Sequence, residues 1–567
     1  MDSKIFKTKA YFILKGISVA AAIFSLFVGM LIIITYIKID NTDPLNSPVY
    51  LSLIDRYRKN TTDNELKNEI RAFDLLRRKA YFTSKEQIHT GGNLLAGGII
   101  ITLLGYAFVG RIKKKIPRPN VISDTDKIAF TQSLGRWLII GFFTLFGVLS
   151  LVIAFFTADV LNKPLGELLL EKDKIADKYY NKSEYSNNWP SFRGAGGYGI
   201  ASSGDYPVKW DGRKGEGVLW KTVIPRKGFN SPIIWDKKIF LSGGDKEAFE
   251  VFCFSTGSGE LLWRKAVKDL SEASLVLPDV SGDTGYAAPT MATDGYRVYA
   301  LFASGDLFCL DFSGQILWSK TLGVPKNIYG QSSSLIIYRN LLIVQYDQEE
   351  DAKLLALDTE NGRISWQVKR EVITSWASPI IVDEGEKQMV ILNANPIVAA
   401  YNPANGEQLF SVDCMMGEVA PSPAYSAGFV FAANQYASLV CINPDTKEVV
   451  WEFYDDLPNV SSPLAMEKYV FLATSYGVIV CLDAKKGDVL WTKEFEYGFY
   501  SSPILVGNKV YLLDRKGKMY IFNASNEFIL VGSPELGEDT VSTPAFYNNR
   551  IYIRGSKHLY CIGDNNG

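Results

Sequence analysis

Histidine is almost absent from this chain: His89 and His558 are the two present in 567 residues. That scarcity argues against His-rich zinc or haem sites and against a Ser-His-Asp centre, each of which needs imidazole at the reacting atom. An excess of one charge is also missing, since 60 basic against 61 acidic side chains leave a formal charge of −1. No global basic field exists to hold nucleic acid through counterion release. Cysteine is sparse and never paired. Cys253, Cys309, Cys441, Cys481 and Cys561 recur at one equivalent place, as in Phe252-Cys253-Phe254 and Val480-Cys481-Leu482, and Cys414 stands apart. With no C-x-x-C pair, zinc and redox-motif readings fail, and the five read as small core residues on separate repeats. Disorder does not fit a composition of 47% hydrophobic and 21% charged residues, and 13% aromatics suits β-rich packing.

Long apolar runs are present, and all lie early. Uncharged stretches 16–37, 91–110 and 137–157 are each long enough, as helices, to cross about 30 Å of hydrocarbon. The first lacks an A-x-A-like cleavage site and reads as an uncleaved anchor. Lys4, Lys7, Lys9 and Lys15 precede it, and the loop between the second and third runs carries a net +5, against ten basic and eight acidic residues in 38–90. By the positive-inside rule the N-terminus is then cytoplasmic. The expectation is a three-helix anchor over 1–157 with an outer helical loop at 38–90. It places the chain in a bacterial inner membrane as a multi-pass protein with its C-terminal part in the periplasm. Residues 158–187 read as a linker.

Beyond the linker the sequence repeats. A turn followed by Trp occurs as Thr256-Gly257-Ser258-Gly259-Glu260-Leu261-Leu262-Trp263, as Asp358 to Trp366 and as Asp483 to Trp491, with further copies ending at Trp220, Trp318, Phe410, Trp451 and a degenerate Leu530. A small residue followed by Pro opens an apolar strand at Pro232, Pro289, Pro379, Pro423, Pro463, Pro503 and Pro544, with Ser334 in the missing place. The mean spacing is about 45 residues with four short β-type runs per period, the signature of a propeller blade. Residues 188–567 are therefore predicted to be an all-β eight-bladed propeller behind the helical membrane anchor. The Trp strand near Val218 has no blade before it, and His558-Leu559-Tyr560-Cys561-Ile562 has no Trp strand after it. Pairing the two would close the ring.

The Asp-x-x-Thr/Asn-Gly-x-x-x-Trp repeat, with the entry Trp189-Pro190-Ser191-Phe192-Arg193-Gly194, resembles the pyrroloquinoline-quinone-type (PQQ-like) propeller family. Two unrelated roles are implied, because one scaffold serves several jobs. Quinoprotein dehydrogenases of this superfamily hold PQQ and calcium, whereas the propeller lipoprotein of the outer-membrane β-barrel assembly machinery holds neither. The short blades here resemble the latter. A calcium–quinone site needs converging carboxylates, for which Asp283, Glu418 and Asp539 are the candidates.

Residues three positions before each strand-opening Pro are expected at one mouth of the axis, namely Phe229, Tyr286, Gln331, Trp376, Ala420, Val460, Tyr500 and Val541. Phe229, Tyr286, Gln331, Trp376 and Tyr500 form the candidate binding set, since aromatics at a concave site anchor partners. No catalytic or metal-binding residue is assigned, and no cofactor is expected outside the dehydrogenase alternative. The function read from this is a non-enzymatic periplasmic scaffold anchored in the inner membrane. It binds the bilayer and envelope proteins, and it serves envelope assembly or acts as an accessory subunit of a membrane complex. The alternative is a membrane-bound PQQ-dependent dehydrogenase passing electrons to quinone.

Overall fold

In the computed structural model of the chain, residues 16, 18–31, 95, 97, 98, 102, 181–269, 277–385 and 387–564 are described. Two compact units divide it, Met1–Thr157 and Ala158–Gly567.

In the first unit the described residues are helical. Among them no helix is long and apolar enough to cross a membrane. This overturns the expected multi-pass inner-membrane location. Among the described residues the longest helical stretch, 18–31, covers about 21 Å at 1.5 Å per residue, against the roughly 30 Å of hydrocarbon that a span requires. An uncharged run supplies apolar surface, yet continuous helix is what spans. The run 137–157 and the loop 38–90 lie outside the described residues.

In the second unit the described residues open with a short helix, α1 (Lys182–Asn187), at the end of the expected linker, whose residues 158–180 lie outside the described ones. Asn181 caps it, its side chain accepting from the backbone N–H groups of Ser183 and Glu184. Next come β1 (Ile200–Ala201) and β2 (Val218–Val223), and then the first blade, made of β3 (Ile233–Trp235), β4 (Lys238–Gly244), β5 (Ala248–Ser255) and β6 (Leu261–Asp269). Eight sheets follow in all, each an antiparallel meander of four strands, except that β1 adds a parallel fifth strand to the sheet opening at Ile504–Val506.

Burial explains the sequence pattern. Inner strands such as Leu341–Tyr346 are buried at every position, because neighbouring blades cover both faces. Outer strands such as Ile316–Thr321 alternate half-buried and exposed, as an edge must. The Trp repeat welds blade to blade. Each indole Nε1–H donates to a carbonyl in the turn of the next blade: Trp220 to Thr256, Trp263 to Phe312, Trp318 to Thr359, Trp366 to Pro403, Trp451 to Ala484 and Trp491 to Ser525, all at 3.0–3.1 Å. The turn glycine serves the same contact. Gly362 has φ +69°, and a Cβ there would lie 2.6 Å from Trp318 Cε3, so only glycine lets the turn lie flat on the ring. The repeated cysteines stand opposite these tryptophans in register, Cys441 facing Trp451 and Cys481 facing Trp491, and no disulfide forms among the described residues.

The ring closes as the copy number implied. β2 pairs antiparallel with the last strand, His558–Ile562, Trp220 facing Cys561 and Val223 facing His558. One sheet is thus built from both ends of the propeller.

Candidate functional site

The innermost strands begin at a circle of hydroxyls. Ser231, Thr290, Ser334, Ser378, Ser422, Ser462, Ser502 and Thr543 each donate a backbone N–H to the side-chain oxygen of the next member, at 2.9–3.1 Å, and Thr543 returns the circle to Ser231. Eight orphan strand-start donors are satisfied this way without water. The circle also fixes which residues are equivalent across blades, and so which residues face the axis.

One end of the axis is covered. The segment from Trp189 to Ala201 reaches across it, with Trp189 bridging to Ile234, the Pro190 carbonyl accepting from Thr293 N–H and the Gly199 carbonyl accepting from Leu505 N–H. At its centre Arg193 is fully buried. Its guanidinium donates to the carbonyls of Tyr198, Pro423 and Pro463 at 3.2, 3.4 and 2.6 Å. Burial pushes the Arg193 pKa down to about 9, which still leaves the group charged at neutral pH. Carbonyl dipoles therefore hold the charge in place of water.

The other end is open. It forms a cavity of about 370 Å³ whose lining includes Phe229, Ala288, Ser332, Trp376, Ala420, Val460, Tyr500 and Val541, with Phe192 of the crossing segment also lining it. Each of those eight lies two residues before its hydroxyl-circle residue. Phe229, Trp376 and Tyr500 thus come together at the mouth, whereas Tyr286 and Gln331 do not. Tyr286 is buried against Phe249 at a ring distance of 6.0 Å. Gln331 is buried and donates to the Gln345 carbonyl at 3.0 Å. The cause is register: Pro289 precedes Thr290 while every other strand-opening Pro follows its circle residue, and Ser334 occupies the circle rather than the Pro position.

Charged lining is confined to Asp283 and Glu418. Tyr329 Oη donates to Glu418 Oε2 at 3.2 Å, and its ring meets Trp376 edge-on at 4.8 Å. Burial, together with the Glu418 and Asp283 charges, raises the Tyr329 pKa above the usual phenol value. Asp539 lies in a neighbouring depression of about 210 Å³ with Lys227 and Arg554, and it pairs with Lys516 at 3.0 Å. Beside it Arg515, whose carbonyl accepts from Thr540 N–H, stacks on Tyr500 at 4.2 Å. The described residues contain no group of three or more His, Cys, Asp or Glu side chains able to hold a metal ion. The cavity lining holds no arginine or lysine to face the carboxylates of a quinone such as PQQ. The residues present do not fit that pair.

Loops on the mouth face carry apolar side chains into solvent. Ile328, Ile373, Met416, Tyr454 and Tyr497, from loops that lead into the next blade, and Tyr436 and Tyr476, from hairpins between second and third strands, are all exposed. The hydroxyl circle, the crossing segment and this rim escaped the sequence reading. The run of four glycines between Gly194 and Gly199, all at positive φ, was a visible signal for the segment.

No curated protein matches the chain. Among solved structures, the quinohemoprotein alcohol dehydrogenase of Comamonas testosteroni superposes with a TM-score of 0.50 at 12% identity, covering 69% of this chain and 82% of that one. The quinohemoprotein alcohol dehydrogenase ADHIIG of Pseudomonas putida HK5 gives 0.51 at 11% identity, with 70% and 82% covered. BamB from Moraxella catarrhalis is similar at 15% identity and a TM-score of 0.47, with 61% and 99% covered. At such identities the likeness speaks for the fold alone. The family model described as outer membrane protein assembly factor BamB matches residues 247–410 and 394–567, and with more than half its length so matched the chain belongs to this PQQ-like propeller family.

Proposed function

We propose that the protein is a non-enzymatic propeller scaffold that holds partner proteins on its mouth face, in bacterial envelope assembly or as an accessory subunit of a membrane complex. The family match supports a protein-interaction role. The observation that carries the reading is the one-sided distribution of exposed apolar loops. Ile328, Ile373, Met416, Tyr436, Tyr454, Tyr476 and Tyr497 lie on mouth-face loops from the second to the seventh blade, and exposed apolar side chains gathered on one face mark an interaction site. The near-zero net charge speaks against nucleic acid as the partner.

Crosslinking with mass spectrometry on the native protein tests this. The double variant Ile373→Asp and Met416→Asp is expected to lose partners that the wild type retains, while Tyr296→Asp, on an exposed turn at the other face, keeps them. Retention of every partner by the double variant would overturn the scaffold reading.

The dehydrogenase alternative shares the fold. Against it stands the donor set, two carboxylates and no basic residue in the cavity lining. Adding PQQ and calcium to the purified protein is expected to give no stoichiometric quinone absorbance and no dye reduction with alcohols or sugars. A positive result in both would establish the alternative.

A further inference from the structure

The mouth is chemically lopsided, and the lopsidedness identifies what it takes. On the side of blades two to five, Asp283, Tyr329, Trp376, Glu418 and Tyr436 gather in one corner of the cavity. Tyr329 and Trp376 meet edge-to-face at 64°, and both line the cavity. Gly417, at φ +76°, brings its backbone to the Tyr436 ring, where a Cβ would lie 3.0 Å away. That contact holds Tyr436 beside Glu418. Among the described residues neither Asp283 nor Glu418 makes an ion pair, and Glu418 accepts a single side-chain hydrogen bond, from Tyr329. The basic residues near the opening, Lys227 and Arg515, lie on other rings, over Phe229 at 4.8 Å and Tyr500 at 4.2 Å.

Three electron-rich rings and two unpaired carboxylates make a site for a cation. Asp283, Glu418 and Tyr436 are exposed at the rim of the cavity; the ring faces attract a cation through their quadrupoles, and a carboxylate without an ion-pair partner can accept from a charged donor it does not now have. We propose that this corner binds the arginine or lysine side chain of a peptide segment presented by a partner protein docked on the mouth face. A cavity of about 370 Å³ admits one such side chain with its flanking backbone. The surrounding apolar loops cover the rest of the segment. The inference rests on the scaffold reading and adds to it the chemistry of the anchoring residue.

Isothermal titration of the full chain with acetyl-Gly-Arg-Gly-amide, against the same peptide with citrulline in place of arginine, tests it. The two differ in charge and hardly in shape. Saturable binding of the arginine peptide is expected, at least about tenfold tighter than the citrulline peptide. Glu418→Gln should weaken the arginine peptide by about tenfold and leave the citrulline peptide unchanged. Trp376→Phe, which keeps a ring face, should retain more affinity than Trp376→Leu, with thermal midpoints confirming that all variants fold. Equal affinity for the two peptides, no saturation, or indifference to Glu418→Gln would each overturn the proposal. If these peptides fail while the rim variants still shed partners, the scaffold stands and the cation site falls.

Discussion

Trp220→Ala strikes the sheet in which the two ends of the ring pair as strands. The substitution removes the indole packed on Tyr552 at 6.0 Å, the donor to the Thr256 carbonyl at 3.0 Å, and the surface on which Gly259 lies. Replacing a core Trp by Ala costs about 3–5 kcal/mol, and for a half-buried ring about 3 kcal/mol is the working figure. At roughly 2–4 °C per kcal/mol for a large domain, the thermal midpoint should fall by about 6–12 °C. Trp451→Ala removes a matching set, Phe431 at 5.9 Å and the Ala484 carbonyl at 3.1 Å, so its midpoint should fall equally. What separates the two is where the molecule opens. Blade five is continuous in sequence from Ala424 to Phe453, whereas the closing sheet is held by pairing between distant segments. Hydrogen–deuterium exchange read by mass spectrometry should therefore rise in His558–Ile562 and in β2 for Trp220→Ala, and stay low there for Trp451→Ala. Full protection of the last strand in Trp220→Ala, or equal loss of it in Trp451→Ala, would refute the reasoning.

Three further outcomes are expected. Ser462→Ala leaves the Ser422 N–H without its acceptor and should destabilise by about 1–3 kcal/mol in chemical denaturation, with Ser462→Thr close to wild type. Burial works against the charge of Glu538, but the backbone N–H of Lys557, the His558 ring and N–H, and the Tyr560 hydroxyl outweigh it and hold its pKa below the usual value. Its folded pKa being the lower one, its contribution is complete above the ordinary carboxylate range and lost as pH falls through the folded value. Glu538→Gln should accordingly flatten the acid limb of a thermal-midpoint profile. Burial pushes the thiols of Cys253, Cys414, Cys441, Cys481 and Cys561 to about 12, so a thiol-reactive dye should label the protein only after unfolding.

The propeller was legible because each blade repeats the same physical demand. A Trp must find a flat turn on the next blade, so Gly and Trp recur at fixed spacing, and the copies can be counted. Ring closure followed from one spare strand at each end. The mouth was legible only through a proxy, the strand-opening Pro, and the proxy slips by two residues at Pro289 and by one at Ser334. The hydroxyl before or after it is what the geometry holds constant, and a single hydroxyl among many Ser and Thr leaves no periodic trace of its own. Arg193 was read as part of an entry motif, yet nothing local tells that two of its three partner carbonyls lie more than two hundred residues away. The apolar runs near the N-terminus show the opposite failure, since hydropathy registers apolar length alone, and among the described residues no helix is long and apolar enough to cross a membrane.

The strap through Arg193 turns the bore into a cup. Nothing can be threaded through it, and a guest has the same door for arrival and departure. A protein seated over that door becomes its lid, so whatever fills the cup must be delivered by the lid itself or be inside before the lid comes down, and it leaves only after the lid lifts.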